Sequence, residues 1–523
     1  MNEKVILVPV DGASNIKLEA LDFETLAALH SQVADSPTAE FEGLACNDTG
    51  KELDWFDAAI QALPASLRTA AVVAPVARGC SGGLIGADDT LIEAPGRLTL
   101  AYTHRYPDDV EERFRELAGS EQDFYLETGS IRDFPGGLTL LKRFVFEEMK
   151  RPELVQRAAG FAYYGALMAG HFLGDRYGDV QARAGNEHSY WMCHTGTRDI
   201  RREPGTPSHA ASRVAAFRKL VPAQPAVVYR PLGAMPKAQA EELGLAACPR
   251  VVPGGHDSCL SHIPILSTFY QAFPERTGKP VIHVEAGTWT VIAQVGGSVR
   301  LPADGYARDI LVQGTVDGEP VATARYGGGA DFAHLKKLAA ARGCPFDGTR
   351  NEQALRAMLE RGDGFVLPNI CPANVGTGPF PAVEGRIIGE DAFFANGAAA
   401  CILTNLMTAI TTTHQVEAFA PAPDVPLVLT AGGSRDAYFG PLLAALTGRP
   451  VYAMQDRNGE AVTETTTLGA AIAGKAACLG VHPYEVDMGG LGVRYLEVEP
   501  LPAALAESVR AYRGAWGQTL KSN

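Results

Sequence analysis

One acidic residue, Asp257, stands where a side chain could act on a bound molecule. Val251-Val252 predicts the end of a strand, and Pro253-Gly254-Gly255 then interrupts regular structure. Glycine in such a turn lets another molecule approach the backbone. A carboxylate there can take a proton from a hydroxyl group and so make it a nucleophile. The alternative is that Asp257 only caps a short helix, which Pro264 would interrupt.

A turn near the N-terminus offers a second place for chemistry. Residues 4–10 predict an apolar strand that runs into Asp11-Gly12-Ala13-Ser14-Asn15, and residues 16–22 predict its hairpin partner. Backbone N–H groups and small side chains in such a turn can form a concave site for an anion, and Lys17 adds positive charge. The same pattern also fits an ordinary β-hairpin turn.

The second half of the chain repeats this arrangement. A strand over residues 281–286 leads into Gly287-Thr288-Trp289-Thr290, and residues 291–295 form its partner. The chain thus contains the same strand–turn–strand motif twice, which indicates an internal duplication. Two more glycine turns precede predicted helices and could hold phosphate or a nucleotide through free N–H groups. They are Tyr326-Gly327-Gly328-Gly329 and Gly432-Gly433-Ser434-Arg435.

Candidate substrate contacts lie elsewhere in the first half. A buried strand leads into Arg78 and a further glycine turn, and ligands of open α/β sheets bind outside the carboxyl ends of strands. Arg78 and His104 are therefore candidates, although each alone also fits a surface or packing residue. Residues 186–197 contain many aromatic and hydrogen-bonding side chains close together in the sequence. Of these, His188 and His194 lack a clear third ligand, so the segment is predicted as a pocket wall rather than a metal site.

Composition limits the classes of function. The chain has 523 residues, which predicts two to four domains or two large ones. It is 46% hydrophobic and 20% charged, as folded globular proteins are, and its net charge of −14 argues against non-specific binding of nucleic acid. No signal peptide and no apolar stretch long enough for a membrane span is apparent. Nine dispersed cysteines without a CxxC pair favour a reducing cytoplasm.

Taken in order, these turns resemble the motifs of the FGGY carbohydrate kinases, over nearly the whole chain. The best-matching parts are Ala431-Gly432-Gly433-Ser434-Arg435 and Glu464-Thr465-Thr466-Thr467-Leu468-Gly469-Ala470-Ala471, which look like the family's adenosine-site turn and the helix near it. The resemblance implies an α/β fold of two ribonuclease-H/actin-like domains with a central interdomain cleft. It assigns residues 1–253 to a sugar-binding domain and residues 254–523 to a nucleotide-binding domain.

The resemblance also implies an activity and a role for each turn. The activity is ATP-dependent phosphorylation of a sugar hydroxyl with Mg²⁺. The enzyme would be cytoplasmic, and its assembly as a homodimer is compatible with the resemblance. Asp257 would be the catalytic base and Asp11 the carboxylate on the metal side. The residues implied to bind ATP are Gly12, Ser14, Lys17, Gly287, Thr288, Gly328, Gly432, Gly433 and Ser434. Those implied to contact the sugar are Arg78, His104, Gly255 and His256.

Some motifs depart from the family pattern. The family's first strand ends D-x-G-[ST], whereas Asp11 directly precedes Gly12, and a one-residue shift turns a strand side chain to the opposite face. The W-x-D-x-R and R-A-x-x-E-G motifs are absent. The turns at Gly287 and Gly327 look most like those of kinases for rhamnulose, fuculose and other ketoses. Alternatives are a kinase for a polyol or aldose, a catalytically weak sugar- or nucleotide-sensing protein, and a nucleotide hydrolase.

Overall fold

The structure is a computed structural model that describes residues 4–12, 14–134, 136–178, 186–187, 195–203, 205–221, 225–372, 377–419 and 422–522. The chain forms two compact units. The first unit consists of Met1–Thr268, Leu311–Val321 and Thr465–Gly492, and the second of Phe269–Ile310, Ala322–Glu464 and Val493–Asn523. Residues 254–268 therefore lie in the first unit, while the roles assigned to residues 1–253 and 254–523 stay predictions.

Strands and helices alternate along much of the chain. The strands are β1 Val5–Asp11, β2 Asn15–Asp22, β3 Ala28–Asp35, β4 Thr38–Phe41, β5 Leu44–Asn47, β6 Ala70–Val73, β7 Val76–Ala77, β8 Gly82–Gly86, β9 Thr99–Leu100, β10 Ala158–Tyr163, β11 Asn186–Glu187, β12 Pro225–Ala226, β13 Gly233–Ala234, β14 Arg250–Val251, β15 Gly255–His256, β16 Val281–Ala286, β17 Thr290–Val295, β18 Ile310–Gly314, β19 Pro320–Tyr326, β20 Phe365–Val366, β21 Ile387–Ile388, β22 Leu427–Ala431, β23 Val451–Gln455 and β24 Arg494–Glu497. The helices are α1 Thr49–Gln61, α2 Asp108–Ala118, α3 Glu121–Thr128, α4 Leu141–Lys150, α5 Pro152–Arg157, α6 Tyr164–His171, α7 His209–Ser212, α8 Ala215–Leu220, α9 Lys237–Glu242, α10 Asp257–Leu260, α11 His262–Ala272, α12 Gly328–Ala341, α13 Glu352–Arg361, α14 Glu390–Phe393, α15 Gly397–Ala418, α16 Phe439–Thr447, α17 Thr465–Leu479 and α18 Ala503–Ser522.

The first unit is organised on a mixed sheet with β1 at its centre. The strand order is β13-β14-β6-β1-β2-β3, and β7 pairs with both β1 and β15. β1 and β2 form an antiparallel hairpin in which Asp11 lies opposite Ile16, so the predicted hairpin is confirmed. Its apolar residues are buried because helices cover the sheet; on α1, Leu53 and Phe56 are fully buried in the same core. A carboxylate, Asp48, caps the start of α1.

Small residues on α17 allow a close helix contact within the first unit. A β-carbon on Gly469 would lie 2.0 Å from the carbonyl oxygen of Leu260, the last residue of α10. Only glycine fits there. This close contact fixes α17 against the helix that begins at Asp257.

The second large sheet has seven strands in the order β18-β19-β17-β16-β22-β23-β24. The chain passes into the first unit within β18 and returns within β19. β16 and β17 form the second predicted hairpin, with Ala286 opposite Thr290, and β22 runs parallel to β16. Both hairpins predicted from the repeated pattern are thus present. In each unit the hairpin adjoins a parallel strand.

A long buried helix, α15, supports this second sheet. Its residues from Ala399 to Thr413 are all buried, so α15 is a core helix. Its internal threonines donate hydrogen bonds from their hydroxyls to helix carbonyls, as Thr404 does to the Ala400 carbonyl at 2.8 Å. Within the described residues, none of the helices combines the length and the apolar character that crossing a membrane requires.

Candidate active site

Three parallel strand ends meet at one edge of the first unit's sheet. The pairing of β7 with β1 puts Ala77 beside Asp11, and its pairing with β15 puts Ala77 beside His256. Arg78 follows β7 directly, and Asp257 follows β15 directly. The structure therefore brings Asp11, Arg78 and Asp257 to the same edge, where ligands of such sheets bind.

Asp257 is the first residue of α10, and its side chain is 38% exposed. Its Oδ1 accepts a hydrogen bond of 2.7 Å from the backbone N–H of Ser258 and lies 3.1 Å from Nε2 of His256. Nδ1 of His256 lies 3.3 Å from Sγ of Cys259. The hydrogen bond from the Ser258 N–H orients the carboxylate, and its exposure leaves it able to take a proton from a bound hydroxyl. Gly255 is buried behind it on β15.

Asp11 is fully buried and is paired with the guanidinium of Arg78. Arg78 Nε donates to both carboxylate oxygens, at 2.7 and 2.8 Å, and Nη2 also donates to Oδ1. Nη1 donates to Oδ1 of Asn47 at 3.2 Å, and Nη2 lies 3.6 Å from Oε2 of Glu52. Arg78 is thus turned inward and is 5% exposed, and its predicted contact with a sugar stays a prediction.

Glu52, on the buried face of α1, belongs to this cluster although no sequence pattern marks it. Its Oε2 accepts a hydrogen bond of 2.8 Å from the hydroxyl of Tyr164. Burial, and then the charge of Asp11, raise the pKa of Glu52 well above its usual range, which favours its neutral form. Burial lowers the pKa of Arg78, but the attraction of Asp11 outweighs that effect and raises it. Arg78 therefore keeps its positive charge beside Asp11.

The first glycine turn uses its groups largely for its own hydrogen bonds. The Gly12 N–H donates to the Asn15 carbonyl at 3.0 Å, and the Ser36 hydroxyl donates to the Gly12 carbonyl at 2.7 Å. Ser14 is exposed, whereas Lys17 has its Nζ 2.9 Å from Oε1 of Glu19. Residue 13 lies outside the described residues. The roles of Gly12, Ser14 and Lys17 toward phosphate stay predictions.

His104, predicted as a sugar contact, lies in an aromatic cluster. Its ring centroid is 5.6 Å from that of Tyr106 and 5.8 Å from that of Phe146, and its Nδ1 accepts from the Ala45 N–H at 3.3 Å. Burial lowers the pKa of His104, so its ring is neutral at pH 7. Of the predicted pocket wall, residues 186–197, residues 188–194 lie outside the described residues.

The second unit contains a cavity of about 320 Å³ that the predicted nucleotide turns line together. It lies beside the carboxyl ends of β16 and β22, which are parallel neighbours. Ligands of such sheets bind at that position. Its lining residues are Ala286, Gly287, Thr288, Thr290, Gly328, Gly329, Phe332, Asn405, Thr408, Gly432, Gly433, Asp436 and Phe439.

Glycines bring the walls of this cavity together. A β-carbon on Gly329 would lie 1.9 Å from the carbonyl oxygen of Gly287, and one on Gly433 would lie 2.5 Å from the β-carbon of Ala286. Gly328 begins α12, so the N-terminus of a 14-residue helix opens into the cavity. That end of a helix presents N–H groups and partial positive charge to an anion. The roles of Gly287, Thr288 and Gly328 toward phosphate stay predictions.

Two polar side chains in the cavity, Asp436 and Asn405, were not singled out from the sequence. Asp436 Oδ1 accepts from the N–H groups of Tyr438 and Phe439, at 2.8 and 3.0 Å, and so caps α16. Asn405 Nδ2 donates to Asp436 Oδ2 at 3.3 Å. The predicted Ser434 instead donates its hydroxyl to the Ala431 carbonyl at 2.7 Å and stabilises the glycine turn.

The resemblance implies Mg²⁺, which would need side-chain ligands among the described residues. They contain no group of three or more His, Cys, Asp or Glu side chains that could hold a metal ion. Asp11 is buried and both its oxygens accept hydrogen bonds from Arg78. Mg²⁺ is usually bound by one or two carboxylates together with water molecules and phosphate oxygens. Asp11 in this arrangement does not fit that role.

The fold agrees with solved kinase structures over nearly the whole chain. A carbohydrate kinase from Novosphingobium aromaticivorans has a TM-score of 0.73 and 21% sequence identity, and the match covers 99% of this chain and 98% of that one. A ligand-bound xylulose kinase from Lactobacillus acidophilus has a TM-score of 0.71 at 14% identity, with the same coverage. Plasmodium falciparum glycerol kinase with ADP has a TM-score of 0.70 at 11% identity, covering 99% and 98%. None of the curated proteins matches this chain.

The fold is therefore that of the two-domain sugar kinases of the actin-like, ribonuclease-H-like type, as predicted. Residues 278–477 match the family model for the carbohydrate kinase FGGY C-terminal domain. That segment, which contains most of the cavity-lining turns, is similar to FGGY C-terminal domains. The domain and the fold together support an ATP-dependent sugar kinase.

Proposed function

We propose that this protein transfers the γ-phosphoryl group of ATP to a hydroxyl of a sugar, with Asp257 as the general base. The observation that carries the proposal is the partly exposed carboxylate of Asp257 at the shared edge of three strand ends. Asp257 would take the proton of the hydroxyl as its oxygen attacks the γ-phosphorus, and the bond from that phosphorus to ADP would break. His256 is placed to orient the carboxylate.

ATP would occupy the cavity of the second unit, with its phosphates at the start of α12. The glycine turns at Gly287 and Gly328 leave backbone close to a ligand there, and Thr288 adds a hydroxyl. Asp436 would repel phosphate, so we place the adenosine beside Asp436 and Asn405. Gly432 and Gly433 would then lie against adenosine. Mg²⁺ enters as part of the MgATP substrate and offsets the charge that develops on the phosphates.

The acceptor proposed is a ketose or deoxyketose of the L-fuculose or L-rhamnulose type. The glycine motifs support a ketose, and the similar fold of xylulose kinases, which are named for a ketose, agrees with it. A polyol is the alternative acceptor, since a glycerol kinase has a similar fold. The proposal includes cytoplasmic location and assembly as a homodimer; the free cysteines among the described residues support a reducing compartment.

A second candidate is a sensing protein that binds sugar or nucleotide and turns over weakly. It is favoured by the pairing of Asp11 with Arg78, which removes a family carboxylate from the site. The two functions differ in whether a bound sugar increases the release of ADP.

The test is ADP release from MgATP across a panel of ketoses, deoxyketoses, aldoses and polyols. We expect one class to stimulate release, and Asp257→Asn to lower that rate by about 10²- to 10⁴-fold while ADP affinity is retained. Asp54→Asn, an exposed aspartate of the same unit, is the matched control and should keep the rate. ADP binding without release on any acceptor would favour the sensor, and a near-normal rate in Asp257→Asn would rule out the base assignment.

A further inference from the structure

Asp11 already has a cation beside it, namely the guanidinium of Arg78. Nε of Arg78 reaches both oxygens of Asp11, Nη2 reaches Oδ1, and the Arg78 backbone N–H lies 3.4 Å from Oδ2. The Asp11 side chain is 0% exposed and that of Arg78 is 6% exposed. Mg²⁺ keeps several of its waters when a protein binds it, and no such ion could reach Asp11 without displacing the guanidinium.

The guanidinium is held from further sides as well. Nη1 donates to Asn47 at the end of β5, and Nη2 lies 3.6 Å from Glu52 on α1. The ring of Tyr164 lies beside it, 5.7 Å from the guanidinium carbon. Arginine presents a planar fork of donors that suits several acceptors at once, whereas lysine is a point charge. The side chain of Arg78 is therefore fixed in place and ties β1, β5 and α1 together.

We propose that Arg78 occupies, as a fixed cation, the place beside Asp11 that the family resemblance gives to Mg²⁺. Asp11 is then not a metal ligand, and the only metal in the reaction is the one that ATP brings. This inference rests on the proposed kinase reaction for the role of the metal in turnover. It also makes a claim about metal binding that does not depend on turnover.

The direct test measures Mn²⁺ binding to the full-length, nucleotide-free protein from the electron paramagnetic resonance signal of the free ion. We expect the natural protein and Asp11→Asn to bind Mn²⁺ equally, within about twofold. Asn keeps an oxygen that can accept from Arg78, so the variant removes charge with little change of shape. A Mn²⁺ site in the natural protein that Asp11→Asn weakens tenfold or more would overturn the proposal.

A second set of variants tests whether Arg78 takes the place of the metal. Arg78→Met would leave the carboxyl groups of Asp11 and Glu52 without a cation, and we expect at least tenfold tighter Mn²⁺ binding, lost again in the double variant with Asp11→Asn. Arg78→Lys keeps a cation and should show no gain. A folded Arg78→Met protein without the gain would also overturn the proposal. Should circular dichroism show that Arg78→Met is unfolded, Asp11→Asn and Glu52→Gln decide the question in the natural background.

The two failures can be told apart. If the kinase proposal fails, no sugar increases ADP release, whatever the Mn²⁺ results. If the inference about Arg78 fails, the Mn²⁺ site appears in the natural protein and depends on Asp11, whether or not a sugar is phosphorylated.

Discussion

The α-carbon of Gly329 lies so close to Gly287 that a β-carbon there would be 1.9 Å from the Gly287 carbonyl oxygen. Gly329→Ala must therefore push the hairpin turn of β16 and β17 away from the start of α12. We expect at least tenfold weaker ADP binding in titration calorimetry. The matched control is Gly348→Ala in the same unit, whose β-carbon would meet nothing within 4 Å. Equal affinities in the two variants would contradict a nucleotide site between these glycines.

Asp436 combines two roles that one substitution can separate. Asparagine caps helices as well as aspartate, so Asp436→Asn should keep the bonds from the Tyr438 and Phe439 N–H groups and leave the melting temperature nearly unchanged. It removes the charge that we place beside adenosine. We expect ADP affinity to change about tenfold or more, because a hydrogen bond to a charged group contributes about 1.5–3 kcal/mol.

The comparison for this variant is Asp391→Asn, an exposed aspartate on α14 of the same unit. It should leave ADP affinity unchanged. An Asp436→Asn protein with the affinity of the natural chain would place the adenosine elsewhere in the cavity.

His171 should make stability depend on pH. It is buried between Asp57 and Asp175, with a ring nitrogen 3.0 Å from an oxygen of each. Burial lowers the pKa of His171, but the hydrogen bonds and charges of the two aspartates outweigh this and raise it from 6.5 to about 9. A raised folded-state pKa stabilises the protein fully below pH 6.5, and the stabilisation is lost as pH rises through 9.

His171→Gln should therefore lower the free energy of unfolding by about 1–3 kcal/mol at pH 6, with a smaller loss at pH 9.5. Urea unfolding followed by circular dichroism at the two pH values measures the difference. His334→Gln, on α12 in the second unit, serves as the control. A His171→Gln deficit that does not shrink with rising pH would show that packing, rather than charge, explains the effect.

The hairpins were predictable because their signals are local. The strands around Gly12 and Gly287 alternate or are apolar over six to eight residues and meet at a glycine turn, so period and turn chemistry suffice. The strand end predicted at Val251-Val252 is the end of β14, whereas β15, the two-residue strand directly before Asp257, was not predicted. Backbone pattern and motif order thus predicted the fold.

The contacts within the site were not predictable in this way. Asp11 and Arg78 are 67 residues apart, and they meet only because β7, a strand of two residues, pairs in parallel with β1. So short a strand leaves no periodic signal. Glu52 reaches the pair from a helix whose buried face also includes apolar side chains, and Asp436 looks like a helix cap. Each depends on tertiary packing, which sequence spacing does not encode.

β22 ends in a strained residue, Ala431, directly before the glycine turn. Its φ of 57° and ψ of −151° lie in a region that only glycine adopts readily, at a cost of about 1–3 kcal/mol. Ala431→Gly should relieve this and, after the added chain entropy, stabilise the protein by about 1 kcal/mol, seen as a rise in melting temperature. Ala333→Gly, on the exposed face of α12, is the control and should lower the melting temperature. A fall in both variants would mean that the turn does not strain Ala431.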